Sequence, residues 1–202
     1  MKPLFTFLLI PLFSLFQQDG NSETINKKAS PRFPMISGTV HYVIKGDASG
    51  SARLVFDRNG WRSAENRSLV IKRYGIESKE NRLELVNGDN LYQVNLDKSS
   101  GKATTDNKWS SLLRNKDIDT SVSIMMEYKN GELNRMDTLL GKPCQVWTFT
   151  KGNISEIWLW QGLALRTIKK MPGFSYEQVA EKIEENVPEE NTFILAEDIT
   201  WQ

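Results

Sequence analysis

Few residues in this sequence of 202 amino acids are suited to covalent chemistry. It has one cysteine, Cys144, and one histidine, His41. A nucleophilic thiol needs a base such as histidine within hydrogen-bonding reach, and these two residues fall in separate predicted strands far apart in the chain. A Cys/His pair and a disulfide to a second molecule both stay open. Because free cysteine is among the most buried residue types, we predict that Cys144 is an inert, buried side chain.

Carboxylates are the second group to consider. A cluster near the C-terminus has no histidine or cysteine beside it, so a solvated helix face is favoured over a metal site; it comprises Glu177, Glu181, Glu184 and Glu185. Paired carboxylates can hydrolyse glycosides, but nothing distinguishes Glu156, for example, from an ordinary surface acid. The common motifs for hydrolases, zinc enzymes and phosphate-binding loops are absent. We therefore expect no enzymatic activity, no metal and no cofactor.

The charge balance argues against a nucleic-acid partner. The chain has 26 Lys and Arg against 25 Asp and Glu, which gives a formal net charge of +1, and the basic residues are scattered. Proteins that bind nucleic acids usually carry a basic excess, because contacts to phosphate supply much of their affinity. A hydrophobic content of 39% with 25% charged residues is typical of a folded domain.

The N-terminus has the pattern of a secretory signal. Lys2 precedes the apolar run from Pro3 to Phe16, which is too short for a comfortable membrane span and suited to the apolar region of a signal peptide. An uncleaved anchor is the alternative. We predict a signal peptide at 1–22, a polar tail at 23–36 and a single domain at 37–202. The protein is expected to be exported to the periplasm, or secreted, and soluble after cleavage.

The chain after this tail reads as a series of antiparallel strands. Alternating, β-branched segments are separated by turn residues, and Asn59-Gly60 and Asn87-Gly88 are strong hairpin signals. Two segments interrupt the series. In the segment from Trp109 to Met126, the apolar residues at 118, 122, 125 and 126 fit helical spacing on one face and predict a helix with Asp117 or Asp119 as its N-cap; a strand from Thr120 to Ile124 is the alternative. A capping box at Ser175 and an apolar stripe predict a second helix that ends at Pro188, followed by a last extended segment.

The most apolar stretch of the mature chain is "CQVWTFT" followed by "SEIWLWQGLALRT". We predict an antiparallel hairpin, with Cys144 and Val146 on one face and Trp147 on the other. In the second strand, Trp158 is expected on one face, and the opposite face is expected to carry Ile157, Leu159, Leu163 and Leu165. Since both faces are apolar, each must be covered, by helices on one side and by a core or a cavity on the other. Gly162 indicates a bulge or a close backbone approach.

This order of elements resembles a known family. The patterns "G-K-x-C-x-V-W" from Gly141 and "I-W-L-W-x-G-L-A-L-R" from Ile157, between a strand meander and an acidic segment, are similar to the exported bacterial proteins of the lipoprotein-carrier (lipoprotein-sorting) superfamily. The resemblance covers about Gly38 to Trp201. It implies an α+β fold in which a curved antiparallel sheet, an incomplete barrel, has helices covering its concave face around an apolar pocket.

Two functions follow as expectations. The resemblance implies non-catalytic binding or transport of an acyl lipid or a lipidated protein in the cell envelope, and apolar transfer at about 25 cal/mol per Å² makes a Trp-rich pocket suitable for acyl chains. The alternative is an envelope scaffold that binds a protein partner and has a filled core. The predicted apolar lining is Met125, Met126, Trp147, Phe149, Trp158 and Trp160.

Overall fold

The computed structural model describes residues 30–107, 110 and 116–202, so the predicted signal peptide at 1–22 lies outside the described residues. The elements are β1 (Gly38–Gly46), β2 (Ala48–Asp57), β3 (Arg62–Arg73), β4 (Ile76–Asn87), β5 (Asn90–Asn95), β6 (Ser100–Thr105), α1 (Ile118–Tyr128), β7 (Gly131–Leu139), β8 (Lys142–Phe149), β9 (Ile154–Trp160), β10 (Leu163–Met171), β11 (Phe174–Glu184) and β12 (Thr200–Trp201).

All twelve strands belong to one open sheet in the order β12-β6-β5-β4-β3-β2-β1-β11-β10-β9-β8-β7. Every pairing is antiparallel except that of β12 with β6, which is parallel. The predicted curved antiparallel sheet is therefore confirmed. The described residues contain one α-helix beside these strands, so the chain is predominantly β and the α+β class with several covering helices is only partly supported.

The sheet curls strongly between β11 and β3. The side-chain amide of Gln178 on β11 donates a hydrogen bond of 2.8 Å to Glu65 on β3, although β1 and β2 lie between these strands. Three strand spacings in a flat sheet span about 14 Å, beyond the reach of two such side chains. The sheet therefore bends toward the side that carries Gln178, Glu65 and Tyr42, which we call the Tyr42 face. The opposite side, which carries Trp147, is called the Trp147 face.

The larger core lies on the Tyr42 face. Its side chains come from strands between β3 and β8 in the sheet order and are almost fully buried; they include Val40, Ile44, Phe56, Cys144, Val146, Leu163 and Leu165. A smaller cluster on the Trp147 face joins Val122 of α1 to Trp147 and Leu159. The two clusters bury both sides of β8 and β9, as the apolar pattern of these strands requires.

Helix α1 begins where the sequence predicts. The carboxylate of Asp117 accepts a hydrogen bond of 2.8 Å from the backbone N–H of Thr120, so Asp117 is the N-cap. Helix α1 packs on the Trp147 face through Val122. Within the ranges that the structure describes, no helix is long and apolar enough to cross a bilayer.

The second predicted helix is wrong, because the segment from Ser175 forms strand β11. β11 fills the central gap of the sheet, where it pairs with β1 on one side and β10 on the other. Ala180 lies opposite Tyr42 and joins the core of the Tyr42 face. Two ladders of backbone hydrogen bonds and this burial override the local capping box, which measures only local helix preference.

The predicted long strand from Ser155 to Thr167 is also corrected. It divides at a turn with positive φ at Gln161 (45°) and Gly162 (85°), which separates β9 from β10. Leu163 and Leu165 therefore lie in the core of the Tyr42 face, whereas Leu159 lies in the other cluster. Two shorter segments also differ from prediction. "KSSGKATTD", whose Ser and Gly residues predict a turn, contains strand β6, and the last extended segment is a 3-10 turn (Glu190–Phe193) before the two-residue strand β12.

The segment before β1 packs along one end of the sheet. The backbone N–H groups of Arg32 and Phe33 donate to the carbonyl of Asn59 at 2.9 and 3.0 Å. The guanidinium of Arg32 lies 4.2 Å from the centre of the Trp61 ring. Burial lowers the pKa of Arg32 to about 10, although the negative charge of Asp89 acts to raise it. These contacts hold the segment at the β2–β3 connection, and the carbonyl of Arg32 lies close to Gly162 in the β9–β10 turn.

The C-terminal segment is held by charge and by packing. Arg62 makes hydrogen bonds to Asp57 and, at 2.5 and 2.8 Å, to Glu190. Further along, Trp201 makes an edge-to-face contact with Tyr92 at 5.7 Å between ring centres. The chain end is thereby carried back to the β6 edge of the sheet.

Gly162 gives a test of this packing. A Cβ at Gly162 would lie 2.2 Å from the carbonyl oxygen of Arg32, whereas the glycine with the most similar φ, Gly152 (87°), has open space there. Replacing Gly152 with Ala should cost about 1–2 kcal/mol, the usual penalty of the left-handed region. Gly162→Ala should cost clearly more in urea unfolding, since the N-terminal segment must also move. Equal losses would contradict the close approach.

Candidate binding sites on the two faces of the sheet

The structure divides the predicted apolar lining between the two faces. Trp147, Phe149 and Met126 belong to the cluster on the Trp147 face, and Met125 is buried in α1 at 4% exposure. Trp158 and Trp160 belong to the core of the Tyr42 face. The six residues therefore do not meet around one space.

Trp158 lies among charged side chains that sequence reasoning missed. The guanidinium groups of Arg135 and Arg166 lie 5.3 and 5.2 Å from the centre of its ring, and its indole N–H donates to Glu156 at 2.6 Å. Arg166 in turn pairs with Glu177 at 2.7 Å. The partners come from four strands, so only the strand order brings them together. They fix the orientation of a buried indole that keeps a polar N–H.

Cys144 and His41 do not form a catalytic pair. Cys144 is fully buried on β8, where its Sγ is 3.4 Å from the carbonyl of Lys142. His41 is on β1 and bonds to Glu184 at 2.9 Å. Four strand spacings separate β1 from β8, a distance of about 19 Å along the sheet. Burial raises the pKa of the Cys144 thiol, which keeps it protonated and unreactive.

We predict that a thiol reagent such as dithionitrobenzoate labels Cys144 only when the protein unfolds. The matched control is Ser155→Cys, a half-buried position at the start of β9, in a Cys144→Ala background. The labelling rate of the natural chain should be low in native buffer and should rise steeply as denaturant is added. The control variant should be labelled faster in native buffer. Rapid stoichiometric labelling of the native protein would contradict the buried position.

Polar side chains form two rows across the Tyr42 face of strands β3 to β6. The antiparallel register places Glu65, Glu84, Gln93 and Lys102 side by side across β3, β4, β5 and β6. A second row across the same strands consists of Arg67, Arg82, Asn95 and Ser100. These eight residues, together with Gln202 at the chain end, line a cavity of about 260 Å³. Leu83, Val94 and Gly101 complete a lining that is more polar than apolar, and the cavity is partly open to solvent.

Like charges lie opposite each other in these rows. Glu65 lies opposite Glu84 and Arg67 opposite Arg82, a placement that destabilises a sheet unless other groups compensate. Arg67 bonds to Glu65 at 2.8 Å, and Glu84 accepts from Gln93 at 3.2 Å. Such breaks of a local stability rule are expected at binding sites.

The electrostatics of this region are set by burial and by the Glu65–Arg67 pair. Burial opposes the charge of Arg67, but the nearby carboxylate of Glu65 outweighs it and raises the Arg67 pKa above its usual range. Tyr42 is buried beside this pair, and its hydroxyl donates to the carbonyl of Ala164 at 2.9 Å. Burial, with the charge of Glu65, raises the pKa of Tyr42 well above 10.

The raised pKa of Tyr42 makes stability depend on pH in the alkaline range. Its contribution is fully present below the ordinary pKa of 10.0 and is lost as the pH rises above it toward the folded-state pKa, because only the unfolded state then releases the proton. One such group changes the free energy of unfolding by at most about 1.4 kcal/mol per pH unit.

We predict that Tyr42→Phe flattens this alkaline loss in urea unfolding between neutral pH and pH above 10. Tyr74→Phe is the matched control, since Tyr74 is 81% exposed, and it should leave the slope unchanged. Identical slopes for the two variants would show that Tyr42 ionises freely in the folded protein.

The sequence carried only a weak signal of this polar site. Arg82, Glu84, Gln93 and Asn95 alternate with apolar residues, a pattern that ordinarily marks a solvated face. Lys102 and Ser100 fall in a segment predicted as a turn. The available signal was the presence of like charges on neighbouring predicted strands. It could not be used, because the sequence does not give the register in which the strands pair.

No family model matches this chain, and no curated protein matches it. Among solved structures, it is similar to an uncharacterised conserved protein from Thermus thermophilus, with TM-score 0.49, 7% identity and coverage of 84% of this chain and 91% of that one. It is also similar to LprF from Mycobacterium bovis, with TM-score 0.36, 9% identity and coverage of 75% and 88%. MucB gives TM-score 0.38 and 13% identity over 80% of this chain and 58% of that one.

The fold itself defines the class of protein: a predominantly β chain built on one large, curved, unclosed sheet that is antiparallel except at β12.

Proposed function

We propose that the protein acts without catalysis in the bacterial cell envelope, as an exported protein that binds the polar, anionic portion of a lipid or of a lipidated protein. The observation that supports this most directly is the polar cavity across β3 to β6, with its three cationic side chains, Arg67, Arg82 and Lys102. A lipid headgroup with phosphate and hydroxyl groups matches a cavity that offers cations beside amide and carboxylate groups.

The size and lining of the cavity separate this proposal from acyl-chain transport. A cavity of about 260 Å³ is slightly below the range of roughly 300–1,000 Å³ that is usual for drug-sized ligands, and it is not apolar as most such pockets are. The apolar clusters on the two faces are buried: Val146 and Leu165 on the Tyr42 face have no exposed surface, and Trp147 on the other face is 2% exposed. The headgroup is thus the part of a lipid that this geometry suits best.

Among the cations, Arg82 and Lys102 are the most suitable to contact a ligand. Arg67 is half-buried and engaged by Glu65, whereas Arg82 is more than half exposed and pairs with Glu80 on its own strand. Lys102 lies on β6 and is exposed. A charge-assisted hydrogen bond contributes about 1.5–3 kcal/mol, so losing one should weaken binding about tenfold or more.

We predict that Arg82→Glu and Lys102→Glu each weaken binding to phosphatidylglycerol vesicles and to free glycerol phosphate by about tenfold. Lys45→Glu, an exposed reversal on β1 outside the cavity, is the control and should bind as the natural protein does. Vesicle cosedimentation and NMR titration measure the two affinities. Binding to phosphatidylcholine vesicles should be weak throughout.

Two results would contradict the proposal. The first is unchanged affinity of both cavity variants. The second is saturable binding of a fluorescent fatty acid that neither substitution affects, because it would place the ligand in an apolar site instead of the polar cavity.

The scaffold alternative has one observation in its favour. Strand β7 ends the sheet, and no other strand of the described residues pairs with its outer side. An exposed strand edge is a ready surface for pairing with another chain.

A further inference from the structure

Edge strand β7 differs from the edge at the other end of the sheet. There, β12 covers part of β6 by pairing at Ser100 and Gly101, and Lys102 adds a charge beside it. β7 pairs with β8 along its length, while its outer backbone groups face away from every described strand. A long uncovered edge normally carries a device that prevents pairing, such as charges, proline or a bulge.

β7 carries one such device, the irregularity between Leu133 and Arg135, but beyond it the charges of the strand do not oppose a second copy of the same strand. In an antiparallel pair related by a twofold axis perpendicular to the sheet, each residue lies opposite the one equally distant on the other side of the axis. With the axis at Met136, Arg135 lies opposite Asp137 of the partner subunit, and the relation repeats by symmetry. Within one chain, Arg135 already lies 3.4 Å from Asp137, and Asp137 accepts a hydrogen bond of 2.8 Å from the backbone N–H of Thr138. In the symmetric pair these side chains and their symmetry mates form one cluster of alternating charge, so the strand is complementary in charge to itself.

The apolar surface at this edge supports the same register. Met136 is 61% exposed and Leu133 is 51% exposed, although both belong to a strand of the sheet. They lie opposite Gln145 and Trp147 of β8, on the Trp147 face. In the symmetric pair, Met136 meets Met136 of the partner subunit at the axis, where apolar contact removes exposed surface from water.

We propose that the protein forms a homodimer by antiparallel pairing of two β7 strands about a twofold axis at Met136, which joins the two sheets into one. The regular part of β7 is short, because the register with β8 shifts between Leu133 and Arg135. Residues 138 and 139 would lie opposite residues 134 and 133 of the partner subunit, at this irregularity, so the regular pairing is confined to residues 135–137. The interface is small, and we expect a dissociation constant on the order of 10 µM, as for weak, transient contacts.

The decisive experiment exploits the charge register. Arg135→Asp creates a strand with two carboxylates, and Asp137→Arg creates one with two cations, so each variant opposes itself and complements the other. In sedimentation velocity, each variant alone should dimerise at least about tenfold more weakly than the natural protein, since two attractive pairs become repulsive. An equimolar mixture of the two should dimerise again. Glu132→Lys, on the same strand but outside the regular pairing, is the matched control and should dimerise normally.

Arg135 also contacts Trp158 and Glu156, so circular dichroism and tryptophan fluorescence must show that each variant is folded. Met136→Asp provides a second route, because the exposed Met136 can change without loss of core packing, and two carboxylates would then meet at the axis. It should be monomeric. A natural protein that stays monomeric across the whole micromolar range, or a charge-reversed mixture that fails to associate, would overturn the proposal. These outcomes do not depend on headgroup binding.

Discussion

The need to bury both faces of strands β8 and β9 governs the rest of this structure. Val146 and Trp158 are buried on one face, and Trp147 and Leu159 on the other. An antiparallel sheet with one face in water could not hold this pattern. On the Trp147 face, α1 supplies the cover through Val122. On the Tyr42 face, the curled sheet and the segment before β1 supply it, and Gly162 allows that segment to approach closely.

The polar cavity lies on the same face, beside the curled part of the sheet. As the Tyr42 face bends, side chains from non-adjacent strands come within hydrogen-bonding distance, as Gln178 and Glu65 do. Toward β6 the apolar residues give way to the two rows of charged and amide groups. One face of one sheet therefore has a filled apolar region and an open polar region. The first stabilises the fold, and the second is where a ligand is proposed to bind.

Several features could be predicted from local sequence because local chemistry decides them. Asn-Gly turns ended strands, Asp117 capped α1, and alternation placed Val146 and Trp147 on opposite faces. The helix predicted from Ser175 shows where this approach fails. Its capping box and apolar stripe are genuine local preferences for a helix. Pairing with β1 and β10 stabilises the segment as a central strand by more than these preferences would stabilise the helix. The candidate cavity was missed for a related reason, since its residues look solvated one strand at a time.

The sequence alone determined that this is a mainly antiparallel chain whose Gly141–Arg166 region is apolar on both faces, since side-chain alternation is a property of each strand. Only the tertiary structure decided which residues share a face, because that depends on register, on bulges and on the turn at Gly162. Tertiary structure also divided the six apolar candidates between two clusters and aligned Arg67 with Arg82 and Glu65 with Glu84. Which residues lie opposite each other on neighbouring strands depends on how separate segments of the chain pair, and no local sequence pattern encodes that pairing.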